Sequence, residues 1–195
     1  MELYVAAQGN ITLIVGDSTE VSFTQTPPHT FHVNSQVLSQ ASPVWRAMFE
    51  PGRWKEAFTK TVLLPEDDGE ALLILLQICH GRFEDIPEVL SAATLHEIAI
   101  LCDKYDCITL TRPWLKKWLI GWTQQLDITA RYKANDLCIA WQFGLSQAFA
   151  DIEWRLCNDS QMNDDDELWH PVHGLFDTAY IDERNLRKFC SRDST

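Results

Sequence analysis

FHVNSQVLSQASPVWRAMF, residues 31–49, changes its apolar period partway along, and that change decides the fold class. Phe31 and Val33 alternate as on a half-buried strand, whereas Val37, Leu38, Val44, Trp45, Met48 and Phe49 recur at helical spacing. Asn34 or Ser35 can cap a first helix. Ser42 and Pro43 can cap and open a second, because proline at the first helical position gives up only an amide that has no partner there. A strand running into two short helices is a core piece, and it carries no evident catalyst.

Upstream, ITLIV at 11–15 is β-branched and apolar and is closed by Gly16-Asp17-Ser18. Glu20 to Thr24 alternate like the second strand of a hairpin, until Pro27-Pro28 interrupts the ladder. Two strands do not stand alone in water, so a further strand or a helical layer must cover them. Downstream, Glu50 to Arg53 form a turn and Thr61 to Leu64 a third strand, ended by Pro65. Glu66, Asp67 and Asp68 then precede the periodic run Ala71, Leu72, Leu75, Leu76, Cys79, where carboxylates cap a helix and suit its positive end; Gly81 stops it. No further ligand follows at the spacing that would turn this triplet into a metal site.

Thr94 to Glu97 form a capping box ahead of Ile98, Leu101, Cys102 and Tyr105, whose apolar face is expected to pack on the helix of residues 70–80. Arg112-Pro113 opens a helix in which Trp114, Trp118 and Trp122 repeat every four residues. Bases stacking on that stripe would need a flanking basic track, and only Lys116 and Lys117 supply one, so the stripe reads as core, a protein groove or a seam between two halves. After a connection over 127–132, one long helix is expected from Asn135 or Asp136 to Arg155, with Leu137, Ala140, Trp141, Gly144, Leu145, Ala148, Ile152 and Leu156 on its buried face. The acidic stretch 158–167 reads as an exposed loop, and Asp182 caps a last helix carrying Leu186 and Phe189.

Sixteen Lys and Arg against 28 Asp and Glu give a net charge of -12, which repels phosphate backbones and argues against direct nucleic-acid binding. With 46% hydrophobic and 23% charged residues, the 195 residues can form a sizeable core, as one domain or as one of about 110 residues plus a helical annex. MELYVAAQGN lacks the basic and apolar regions of a secretory signal, and no window reaches the length of a membrane span. The six cysteines fall mostly within apolar helical patterns, as small buried residues in a reducing compartment would. An intracellular chain, nuclear or cytoplasmic, is expected.

His170-Pro171-Val172-His173, with Asp177 four residues on, is the one cluster that resembles a ligand set. A metalloprotease needs two histidines one helical turn apart with a general-base glutamate between them; here the spacing is three, a proline intervenes and the glutamate is missing. Cys102 and Cys107 form no CxxC, and His32, His80 and His96 are scattered. No catalytic residue, cofactor site, metal site or small-molecule substrate is assigned, and a metal-dependent enzyme is the most distant alternative.

Taken together, residues 10 to about 108 resemble a BTB/POZ domain. The likeness rests on NITLIVG, on FHVNSQVLSQASPVWRAMF, on EAFTKTVLLPEDDGEALLILLQICHG and on LHEIAILCDKYDC, in order and at matching separations. The acidic Pro-Glu-Asp-Asp turn and helical tail look most like fungal BTB proteins. The resemblance implies an α+β fold over residues 1–112, a small sheet flanked by a helical cluster, followed by an all-helical C-terminal extension at 113–195. It implies protein–protein interaction. Many members self-associate, and some are adaptors that bring substrates to cullin ubiquitin ligases. The residues matching the cullin-binding region are Met48, Phe49, Glu50, Trp54 and Tyr105, so the partner is a protein, a cullin or a second copy of the chain, with no membrane or nucleic acid directly engaged.

Three departures bear on this. Asn34 stands where the family has a histidine, and His32 lies two residues early. Asn10 and Ser35 occupy positions at which transcription-factor members carry an acid and a base that form a charged pocket. About nine residues precede the first strand, little room for the strand and helix of the swapped dimer, so a monomer or a different dimer is expected.

Overall fold

A computed structural model describes residues 1–16, 28–50, 59–125, 134–159, 161–162, 168–170 and 174–175. The strand expected at Glu20 to Thr24, the turn from Pro51 with Trp54, the connection over 127–132, His173, Asp177 and the helix from Asp182 lie outside these residues. The chain divides into two compact units, Met1–Gln125 and Leu126–Thr195.

In the first unit, β1 (Glu2–Tyr4), β2 (Ile11–Val15), β3 (His29–Val33) and β4 (Thr61–Leu64) form a mixed sheet in the order β1-β3-β2-β4. β2 and β3 are antiparallel, with Leu13 opposite Phe31, whereas β1 runs parallel to β3 and β4 parallel to β2. The period-two pattern does what it must: Ile11, Leu13, Val15, Phe31, Val33, Val62 and Leu64 are buried on one face, and Leu63 points away from it. β1 escaped the sequence reading. Three residues show no period, and the pairing partner is 28 positions away.

Among the described residues of this unit, helices α1 (Ser35–Ala41), α2 (Pro43–Phe49), α3 (Gly69–Cys79), α4 (Ala92–Lys104) and α5 (Arg112–Gln125) accompany the sheet, with 3-10 turns at Phe83–Asp85 and Ile108–Leu110. The core joins the buried sheet face to Leu72, Leu75 and Leu76 of α3 and to Leu95, Ile98 and Leu101 of α4. α3 and α4 pack together as expected. Asp68 caps α3 by accepting from Ala71 N at 2.8 Å. Gly81, at φ +72°, ends it in a left-handed turn closed by Arg82 N donating to Gln77 O at 2.9 Å.

The box at Thr94 is corrected. α4 starts one turn earlier, at Ser91, whose Oγ accepts from Thr94 N at 3.0 Å. Both residues offer a hydroxyl; Ser91 is in extended backbone, as a cap must be, whereas Thr94 lies inside the helix. α5 lies in the first unit, beyond residue 112, and its stripe closes over the segment preceding α4. Trp118 and Trp122 are buried, Trp118 Nε1 donates to Pro87 O at 2.8 Å, and the Trp114 ring meets Phe83 at 5.5 Å.

In the second unit, the single helix expected from Asn135 to Arg155 is two helices, α6 (Ala134–Gln142) and α7 (Ser146–Asp159), packed on each other. Gly144 at φ +68° breaks the run, and Leu145 N reaches back to Ala140 O at 2.8 Å. The apolar period continues across the break because both helices bury Leu137, Ile139, Ala140 and Ile152, but Trp141 falls on the outer side and is exposed. Helices thus open the extension as expected, yet it is not all helix. β5 (Gln161–Met162), β6 (Leu168–His170) and β7 (Gly174–Leu175) form a small antiparallel sheet, in strands too short to show alternation. The stretch read as an acidic loop begins as the last turn of α7 and includes β5.

Candidate docking surface around the second helix

The α1–α2 pair is built by two local caps. Asn34 Oδ1 accepts from Gln36 N at 2.9 Å and Val37 N at 3.4 Å, which starts α1. Ser42 ends α1 and starts α2, its Oγ accepting from Trp45 N at 3.1 Å while donating to Tyr105 O at 2.5 Å. One hydroxyl therefore caps a helix and ties it to the end of α4. Trp45 turns inward, 1% exposed, against the Tyr105 ring at 4.7 Å.

With Trp45 as the inward anchor, Met48 and Phe49 are half-buried at the end of α2, and Glu50 is exposed just beyond. Trp54 lies outside the described residues. Tyr105 is fully buried behind α2. Its hydroxyl donates to Asp67 Oδ2 at 2.5 Å, and Lys104 Nζ donates to Asp67 Oδ1 at 2.5 Å. Burial, with the Asp67 carboxylate second, pushes the Tyr105 hydroxyl far above its ordinary proton affinity, so it remains a donor. Four of the five residues matched to the cullin-binding region are thus described: Met48, Phe49 and Glu50 form one run at the surface, and Tyr105 supports it from within.

Asp67 is the residue that sequence reasoning missed. It was one of three adjacent carboxylates before α3, of which Asp68 is the cap. Asp67 instead turns inward, buried, to close a chain of contacts from Lys104 and Tyr105 through Ser42 to Trp45. No local signal separates the two aspartates, since the partner of Asp67 lies 38 residues away.

The positions of the family's charged pocket meet here as a neutral pair. Asn10 Nδ2 donates to Ser35 Oγ at 2.9 Å, and Ser35 N donates to Asn10 Oδ1 at 2.8 Å. On the outer face of the sheet, His32 bridges Glu2 Oε1 at 2.8 Å and Thr12 Oγ1 at 3.3 Å, with the Tyr4 ring stacked on it at 4.2 Å. This hydroxyl–imidazole–carboxylate line fastens the short β1 to its neighbours.

Among the described residues no group of three His, Cys, Asp or Glu is placed to hold a metal, and no helix is long and apolar enough to cross a membrane. His170 lies in β6. Cys102 and Cys107 are buried; the thiol of Cys102 is driven up by its contact with Cys107 and by burial, and that of Cys79 is pushed up to about 12 by burial. These are packing thiols, poorly suited to nucleophilic attack.

A mixed sheet backed by helices, with a buttressed helix pair at the surface, makes the first unit an α+β domain. The family model for the BTB/POZ domain matches residues 10–112, just over half of the chain, and the chain belongs to that family. No curated protein matches it. Domains of this family are generally protein–protein interaction modules.

Proposed function

We propose that the protein is an intracellular, non-enzymatic adaptor whose residues 1–112 dock a partner through the end of α2, with residues 113–195 as a C-terminal extension. The carrying observation is the Met48–Phe49–Glu50 run: two half-buried apolar side chains at the end of a helix locked from behind by Ser42, Tyr105 and Asp67, and an exposed carboxylate just past it. Such a run has the makeup of an interface, an apolar centre with a polar rim held in place before binding. The partner favoured by the family resemblance is the N-terminal region of a cullin-type ubiquitin ligase, with Trp54 adding an aromatic anchor. The acidic turn before α3 and the helical tail support a fungal-type member.

Purified protein is titrated with a cullin N-terminal region at micromolar concentration in moderate salt. Binding that Phe49→Ala weakens at least tenfold supports the reading, and no binding refutes it. A second reading, a self-associating scaffold or transcription-related regulator, draws on Phe83, Val89 and Ile120, each more than half exposed, on α5 and the segment it covers. A single monomer species by sedimentation across a wide concentration range removes it.

A further inference from the structure

We propose that His80 is a proton-sensitive latch on the α1–α2 pair: its neutral ring holds the start of α1, and acidification releases that hold. This deepens the docking reading, on which its biological meaning rests, because α1 and α2 carry the surface.

The geometry allows one arrangement of protons. His80 Nε2 lies 3.1 Å from Asn34 N, and His80 Nδ1 lies 2.8 Å from Leu76 O. A carbonyl only accepts and an amide N–H only donates, so Nδ1 carries the hydrogen and Nε2 offers its lone pair. A second proton, on Nε2, sets two donors face to face and strands the Asn34 amide at the junction where β3 gives way to α1. The ring has little freedom to swing aside. His80 is the C-terminal cap of α3, its own backbone N donates to Leu76 O at 3.0 Å, and its ring is bonded to the same carbonyl.

The groups around the ring do not rescue the cation. Arg82 is the charged group acting on it, with like sign, and Arg82 is itself paired with Asp85 at 2.8 Å. α1 has no ionisable side chain, and Asn10 and Ser35 beside its start are neutral. On β3, the nitrogens of His32 face Glu2 and Thr12 instead. The adjacent Cys79 thiol stays protonated. Burial therefore prevails over the Leu76 carbonyl and lowers the proton affinity of His80 from its ordinary 6.5. Above that value folded and opened forms are both neutral and the latch is intact. As pH falls below it the opened form takes up a proton first, and the contact weakens until pH has passed through the folded pKa. One unit below, at pH 5.5, the opened form gains up to about 10-fold.

The full chain is followed by imidazole 1H–15N NMR and by amide hydrogen exchange at pH 7.5 and 5.5. The latch predicts an Nδ1–H tautomer at pH 7.5 and a titration midpoint below that of free histidine. It also predicts protection of the Asn34 amide and α1, corrected for intrinsic exchange, that is lower at pH 5.5 than at pH 7.5, by up to about 10-fold. His80→Gln, which keeps an acceptor and does not titrate, should abolish the fall. An Nε2–H tautomer, pH-independent protection in the wild type, or an equal fall in His80→Gln overturns the proposal. The wild-type titration decides by itself if the variant does not fold. Neither measurement involves a partner, so failure of the latch and failure of the docking reading are separately visible.

Discussion

Replacing Tyr105 with Phe removes one oxygen and leaves the ring against Trp45, 4.7 Å away, so the substitution isolates the hydroxyl. That hydroxyl donates to a carboxylate whose side chain is 1% exposed, and its loss leaves Asp67 with Lys104 as the remaining partner in this contact. Hydrogen bonds to charged groups contribute about 1.5–3 kcal/mol, and because Lys104 still neutralises the carboxylate the expected loss is about 2 kcal/mol. With a urea m-value of about 2 kcal/mol/M, the unfolding midpoint should fall by about 1 M with m unchanged. Urea unfolding at pH 7 followed by tryptophan fluorescence reads this directly. Asp67→Asn, alone and combined with Tyr105→Phe, closes a cycle in which the double loss should be smaller than the sum of the single losses by about 1 kcal/mol. A Tyr105→Phe midpoint within experimental error of wild type, or strictly additive losses, would show that the Asp67 network does not hold α4 to the segment before α3.

Trp118→Ala should cost about 3–5 kcal/mol, since the indole is fully buried and donates to Pro87 O, and a melting temperature within a few degrees of wild type would contradict a core role for the stripe. Ser42→Ala should lose about 1–2 kcal/mol through the α2 cap and leave the Tyr105 carbonyl without that donor; chemical denaturation tests it. Asp106 occupies left-handed backbone at φ +48°, just past α4, so Asp106→Gly should stabilise by about 0.5–1 kcal/mol in thermal melts, and destabilisation would refute the strain argument. Cys79 and Cys102 should resist iodoacetamide in native protein at pH 8 and react once urea is added, as read by mass spectrometry.

What was legible in the sequence follows the range of the force involved. Ser42 could be read as a cap, Asn34 as one of two adjacent candidates and Asp68 as one of three carboxylates at a helix entry, because each acts on an amide two or three residues away. The strand-to-helix switch at residues 31–49 was legible because burial imposes a period on neighbours. The errors arose where two local rules competed. Ser91 and Thr94 both offered hydroxyls, and the apolar stripe from Leu137 to Leu156 outweighed a single glycine that in fact divides it. Contacts between distant positions had no local signature: Asp67 to Tyr105, His80 to Asn34, and β1 to β3 each join residues that nothing in their immediate neighbourhoods links. The surface run Met48, Phe49 and Glu50 came from likeness to a family, and its internal support by Tyr105 emerged only in three dimensions.

The Asn10–Ser35 pair has a consequence for how the molecule responds to its surroundings. An acid and a base at this place would make any association routed through them weaken as salt is added, through screening of their field. An amide and a hydroxyl satisfying each other present no net charge to screen and no loose counterion to shed. This pair should therefore add no salt dependence of its own to a contact made over the corner, and the selectivity it lends there must come from contour and hydrogen-bond direction.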